Sequence, residues 1–203
     1  MSTRTWQILQ AGFLLLLALF LNTGAFAVRT QARLSEKVIR LHVLANSDAP
    51  EDQSLKLLVR DRLLTDAAPL AERARDRREM EALLRERLPA LADAARDALS
   101  ANGSTYPVTL ELRETEFPTR YYDGFALPAG RYLALRAVIG DGAGRNWWCV
   151  VFPPLCGGAA TDAGSDGFTP EEIALVSRKT TPYVLQFRAV ECWERLRQAL
   201  CAE

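Results

Sequence analysis

A single imidazole limits the acid–base chemistry open to this chain. His42 is the only histidine in 203 residues, and it stands four positions before Asn46-Ser47-Asp48. The nucleophile candidates are four cysteines, Cys149, Cys156, Cys192 and Cys201. A Cys-His-Asn protease is arithmetically available with Cys149 or Cys156, but neither carries the local signature of such enzymes. Ser47 is not in a Gly-x-Ser-x-Gly elbow. Cys149 and Cys156 are too far apart for a zinc ribbon and have no second pair. These residues predict no catalytic group, no metal site and no cofactor, and His42 reads as a structural histidine bonded to a neighbouring turn. The competing reading is a secreted cell-wall or peptide hydrolase built on His42, Asp48 and Asp61 or on a cysteine.

The densest chemistry lies in Gly144–Cys156, GRNWWCVVFPPLC, which holds two of the four tryptophans and two of the four cysteines. A bridge between Cys149 and Cys156 would close a stiff loop around Pro153 and Pro154. In an exported chain that contributes about 2–3 kcal/mol if unstrained. The alternative is a pair of small buried hydrophobes. Cys192 and Cys201 are nine residues apart, which puts them on opposite sides of one helix and unable to bond to each other there.

The elements that position these residues follow from periodicity. Ile39, Leu41 and Val43 alternate with Arg40 and His42, as in a half-buried strand. Asp48 and Glu51 have capping-box spacing and Pro50 suits a first turn, so 49–64 reads as a helix with Leu55, Leu58, Val59 and Leu63 inward. Residues 70–101 form a second helical stretch with Met80, Leu83, Leu84 and Leu88 on one stripe, kinked or restarted at Pro89. Its charge run reads as a solvated face. Strands follow around Val108–Leu112, over 131–139 and over 147–152, with Gly140–Gly144 as a hairpin turn between the last two. On that third strand Trp147 and Trp148 point to opposite faces, one for the core and one for the outside, with both tryptophans and Phe152 in the core as the alternative. A loop over 157–167, a short helix opening at Thr169 and an amphipathic helix over 183–200 complete the chain. The sum is an α+β domain, a small mostly antiparallel sheet packed with several helices.

Composition sets the compartment. Basic and acidic residues number 25 each, so no basic footprint points to nucleic acid. Arg4 precedes the uncharged run Ile8–Leu21, then Asn22-Thr23-Gly24 breaks it, and Ala25-Phe26-Ala27 has the form of a signal-peptidase site. Residues 1–27 therefore read as a signal peptide, with an uncleaved anchor as the alternative, and 28–203 as a single exported domain led in by polar residues 28–36. Membrane contact is expected only through the N-terminal segment if it stays uncleaved.

Five segments carry a resemblance: Arg40–Gln53 (RLHVLANSDAPEDQ); Lys56 with Val59–Asp61; Phe117–Arg120; Leu127–Gly130 with Ala134–Arg136; and Asn146–Cys156. In that order and spacing, from about residue 34 to 200, the chain resembles stage II sporulation protein R. The resemblance implies a signal made in the forespore and secreted into the space between the two membranes of the sporulating cell. There it would activate a membrane-embedded aspartic protease of the mother cell, which processes the precursor of sigma-E. It implies a protein ligand, with no small-molecule substrate. The recognition face expected from these segments comprises Asn46, Ser47, Asp48, Arg120, Asn146, Trp147, Trp148, Phe152, Pro153 and Pro154. A structural component of the spore envelope is a third reading that composition leaves open.

Overall fold

The computed structural model describes residues 3–122 and 125–154. Expectations for 157–167, Thr169 and 183–200, and for Cys156, Cys192 and Cys201, lie outside the described residues. Among the described residues two compact units separate: 34–117 with 131–154, and 3–33 with 118–122 and 125–130.

The larger unit is α+β. Its strands β1 (Ile39–Leu44), β2 (Val108–Phe117), β5 (Gly130–Ile139) and β6 (Asn146–Phe152) form one sheet in the order β2-β5-β1-β6. The sheet is mostly antiparallel, with β1 parallel to β5 and antiparallel to β6. Helices α2 (Pro50–Arg73) and α3 (Arg77–Ser100) cover one face. Ile39, Leu41 and Val43 of β1 meet Leu133, Leu135 and Ala137 of β5 and Val59, Leu63, Met80 and Leu84 of the helices in one apolar cluster. The other unit holds most of helix α1 (Thr3–Ser35) and a two-residue ladder in which β3 (Arg120–Tyr121) pairs with β4 (Ala126–Leu127).

Several expectations are corrected. Helix α1 runs without interruption through Asn22-Thr23-Gly24 and on through the polar residues to Ser35. The Asn22 amide donates to the Ala18 carbonyl at 2.9 Å, which keeps that side chain inside the helical bonding pattern. No helix among the described residues is long and apolar enough to cross a membrane. Pro69 and Pro89 both sit inside continuous helices. The break falls at residues 74–76 instead, where Asp76 accepts from the Glu79 amide at 2.9 Å as an N-cap. Burial of Leu91, Ala94, Ala95 and Leu99 beyond Pro89 offsets the hydrogen bond a proline removes. Leu58, expected inward, is 39% exposed.

Gly140–Gly144 is not a hairpin turn. Strands β5 and β6 flank β1 and are not neighbours, so the connection must cross the end of β1, about 10 Å at ordinary strand spacing. It does so on backbone bonds, Gly144 N to Ala45 O at 2.9 Å and Ala143 N to Asn46 O at 3.1 Å. A Cβ on Gly144 would run into the Ser47 carbonyl and touch the Ala45 methyl. Gly144→Ala is therefore expected to cost about 1–3 kcal/mol, because backbone on both sides must move. Thermal melting measures it, and an unchanged melting temperature would mean that the loop is not seated on β1.

Candidate functional site

The end of β1 is built around a polar latch. Asn46 uses both ends of its amide, donating from Nδ2 to Asp52 Oδ2 at 2.8 Å and accepting the Asp141 N–H on Oδ1 at 3.0 Å. Ser47 donates its hydroxyl to the same Asp52 oxygen at 2.6 Å. Hydrogen bonds from Ser47 and then Asn46 hold the Asp52 carboxyl below the usual carboxylate range. Buried Lys56 reaches Gln53 Oε1 at 2.5 Å and the Arg145 carbonyl at 3.2 Å. Desolvation, followed by the Arg145 charge, lowers its pKa.

Asp48 does not cap α2. The N-cap is Ala49, with no side-chain bond. Asp48 turns instead to the crossing loop, accepting the Arg145 N–H at 2.7 Å and facing its guanidinium at 3.4 Å. Backbone donors in that loop compete for the carboxylate that a capping box would have used.

Arg40 and His42 do not lie on a solvated face. The second face of β1 is covered by the rings of Phe117, Tyr132 and Trp148: Arg40 is 0% exposed and His42 6%. The Arg40 guanidinium lies 4.0 Å from the Phe117 ring centre and 4.9 Å from that of Tyr132. His42 stacks on Trp148 at 3.8 Å with 13° between the planes, and Phe117 meets Trp148 edge-on at 4.7 Å. His42 Nε2 is 2.9 Å from Asn146 Oδ1. Residues 146 and 148 share a face of β6, so one strand supplies both the stacking ring and the polar partner.

Burial, opposed by the Asn146 contact and helped by the charges of Arg136 and Arg40, lowers the His42 pKa to about 4. The ring is neutral at physiological pH. The unfolded chain, with its ordinary value of 6.5, takes up the proton first as pH falls. Stability from this group is therefore complete above pH 6.5 and lost as pH drops toward 4. The expected loss is about 2–3 kcal/mol, read from urea midpoints across that window. His42→Phe, which keeps a ring but cannot titrate, should flatten the profile there; an equally steep profile in that variant would assign it to other groups.

The structure brings together only part of the expected recognition face. Leu44 pairs with Asn146, so Asn46, Ser47 and Asp48 lie at the same end of the sheet as Asn146, Trp147 and Trp148. Phe152 pairs with Ile39 at the other end of the ladder, about 20 Å away along an extended strand. It is buried, Pro153 is half-buried behind a cis Phe152–Pro153 bond, and Pro154 is exposed. Arg120, expected in a loop, is a β3 residue of the smaller unit. Both tryptophans are half-buried on opposite faces, Trp147 against the helix-side core with the Arg60 guanidinium 4.4 Å from its ring centre. Cys149 is buried, and Cys156, its expected partner, lies outside the described residues.

Residues 35–162 match the family model described as Stage II sporulation protein R (spore_II_R). The stage II sporulation protein R of Bacillus subtilis (strain 168) is 31% identical over 153 residues, 75% of this chain and 67% of that protein. The chain belongs to the stage II sporulation protein R family. The family match runs from β1 to β6, so the latch and the Trp148–His42 stack both fall inside the stage II sporulation protein R region. Membership gives the chain a role in sporulation. No solved structure matches it.

Proposed function

We propose that the chain is a non-catalytic sporulation signal. It is exported from the forespore into the intermembrane space and activates a membrane-embedded aspartic protease of the mother cell, leading to processing of the sigma-E precursor. The observation that carries this reading is membership of the stage II sporulation protein R family across the whole sheet.

The state of His42 favours a ligand over the hydrolase alternative. A buried imidazole with a pKa of about 4, stacked on Trp148, is a weak base for proton abstraction near neutrality. Asp48 is held by Arg145 and Asp61 by Arg60 at 2.7 Å, so neither stands as the orienting carboxylate of a His-Asp pair.

Recognition is assigned to the end of the sheet where Asp48, Asn146, Trp147 and Trp148 come together, with Asn46 and Ser47 as its inner support. Arg120, Phe152, Pro153 and Pro154 complete the proposed set from separate positions. A rigid strand presenting tryptophan loses little entropy on docking.

Export and the Cys149–Cys156 bridge belong to the same proposal. Intact mass with peptide mapping of the secreted product reads both. The expected product starts at Val28 and yields a linked 149/156 peptide; one that keeps residues 1–27 and two free thiols would contradict both.

The function itself is tested by adding the secreted chain to membranes that carry the protease and its precursor substrate. Precursor cleavage that requires the chain supports a ligand. Cleavage of peptide or peptidoglycan by the chain alone, lost in His42→Ala, would establish the hydrolase.

A further inference from the structure

A further cavity lies outside the latch, at strands β2 and β5, and shares only His42 with the Trp148 stack. It measures about 450 Å³ and is lined by His42, by Arg113, Arg131 and Arg136, and by Glu114 and Glu116. Three guanidiniums from two neighbouring strands converge on it. Arg136 is committed to Glu111 at 2.7 Å, and Glu114 is drawn to Arg77 at 3.3 Å. Arg113 has only a 3.5 Å approach to the Glu111 oxygen that Arg136 already holds. Arg131 is exposed and makes no ion pair among the described residues.

The inner wall is His42. Its Nε2 faces Asn146, while its buried Nδ1 has no hydrogen-bond partner. The charges of Arg136 and Arg40 both act against protonation of this ring, which marks a positive field at the back of the cavity.

We propose that this cavity binds a side-chain carboxylate of an acidic peptide segment, with Arg131 and Arg113 as the guanidiniums that receive it. The Arg136–Glu111 pair is the same contact made internally across the same two strands. A guanidinium fork matches a carboxylate in two parallel hydrogen bonds. Glu114 and Glu116 at the rim tolerate one added negative charge better than the roughly two of a phosphate group. The cavity has room for a side chain and its flanking peptide, and β2 is an outer strand that an extended segment can approach. This site goes beyond the protease-activating role and does not depend on it.

The sole histidine provides the readout, because its ring signals in an NMR spectrum need no assignment among others. The full chain is titrated with a blocked triglutamate peptide, with blocked triglutamine and with inorganic phosphate. The expected result is a saturable shift of the His42 ring signals with triglutamate and none with triglutamine or phosphate. Arg131→Gln, an exposed position, should leave the melting temperature unchanged and weaken binding about tenfold. The proposal is overturned by the absence of a saturable shift, by an equal response to triglutamine, by equal binding of phosphate, or by unaltered affinity in Arg131→Gln.

Discussion

Arg40→Ala is expected to destabilise the larger unit by about 3–5 kcal/mol, at the upper end of single substitutions. The side chain is wholly inaccessible and is the largest buried group of β1. Its loss removes two cation–ring contacts, worth about 2 kcal/mol or more when desolvated, and leaves a cavity beneath Phe117 and Tyr132. Arg40→Lys should recover only part of the stability, since an ammonium lacks the plane that lies over a ring. Urea unfolding of both variants measures the effect. A loss under about 0.5 kcal/mol for Arg40→Ala would mean that the guanidinium is held no better than a surface group.

Trp148→Ala carries the second large effect, and it divides between stability and function. The indole stacks on His42 and meets Phe117 edge-on, so truncation should cost about 3 kcal/mol of stability. It also uncovers the imidazole. With its main cause removed, the downward shift of the His42 pKa shrinks, and the loss of stability between pH 6.5 and 4 shrinks with it. On the proposed recognition face, the same truncation should weaken receptor activation by about 30-fold or more at a temperature where the variant is folded. Melting curves, the pH profile and activation are read on one preparation. Full activation by folded Trp148→Ala would move the binding face elsewhere, and an unchanged pH profile would show that the ring does not shield His42.

Local periodicity carried most of the fold. Alternation in Ile39–Val43, Gly130–Ile139 and Trp147–Phe152 marks strands wherever they are placed in a sheet, and Met80 with Leu84 marks the inward stripe of α3 in the same way. What the sequence did not reveal was the order of the strands. Gly140–Gly144 has hairpin composition, yet β1 lies between the strands it joins. That placement depends on tertiary pairing between residues about 100 positions apart, which turn chemistry does not encode.

The environments of Arg40, His42 and Asp48 also depend on residues distant in the sequence. Alternating polar residues face water only where nothing packs on their side of the sheet, and here the rings of Phe117, Tyr132 and Trp148 and the Asn146 amide cover them. Asp48 looks like a helix cap until the crossing loop brings the Arg145 amide within 2.7 Å. In the candidate site, Asn46, Ser47 and Asp48 were legible as a special turn, whereas their partners Asp141 and Arg145 were not, because those partners come from the far end of the chain's β segment.

The most direct measurement is co-expression of the exported chain with the mother-cell protease and the sigma-E precursor in cells that otherwise lack all three, scored by precursor cleavage. The account predicts cleavage when all three are present and none when the chain is omitted, with His42→Phe still active because the chain contributes no catalytic group. Cleavage that proceeds equally well without the chain, or that disappears in a folded His42→Phe variant, would contradict it.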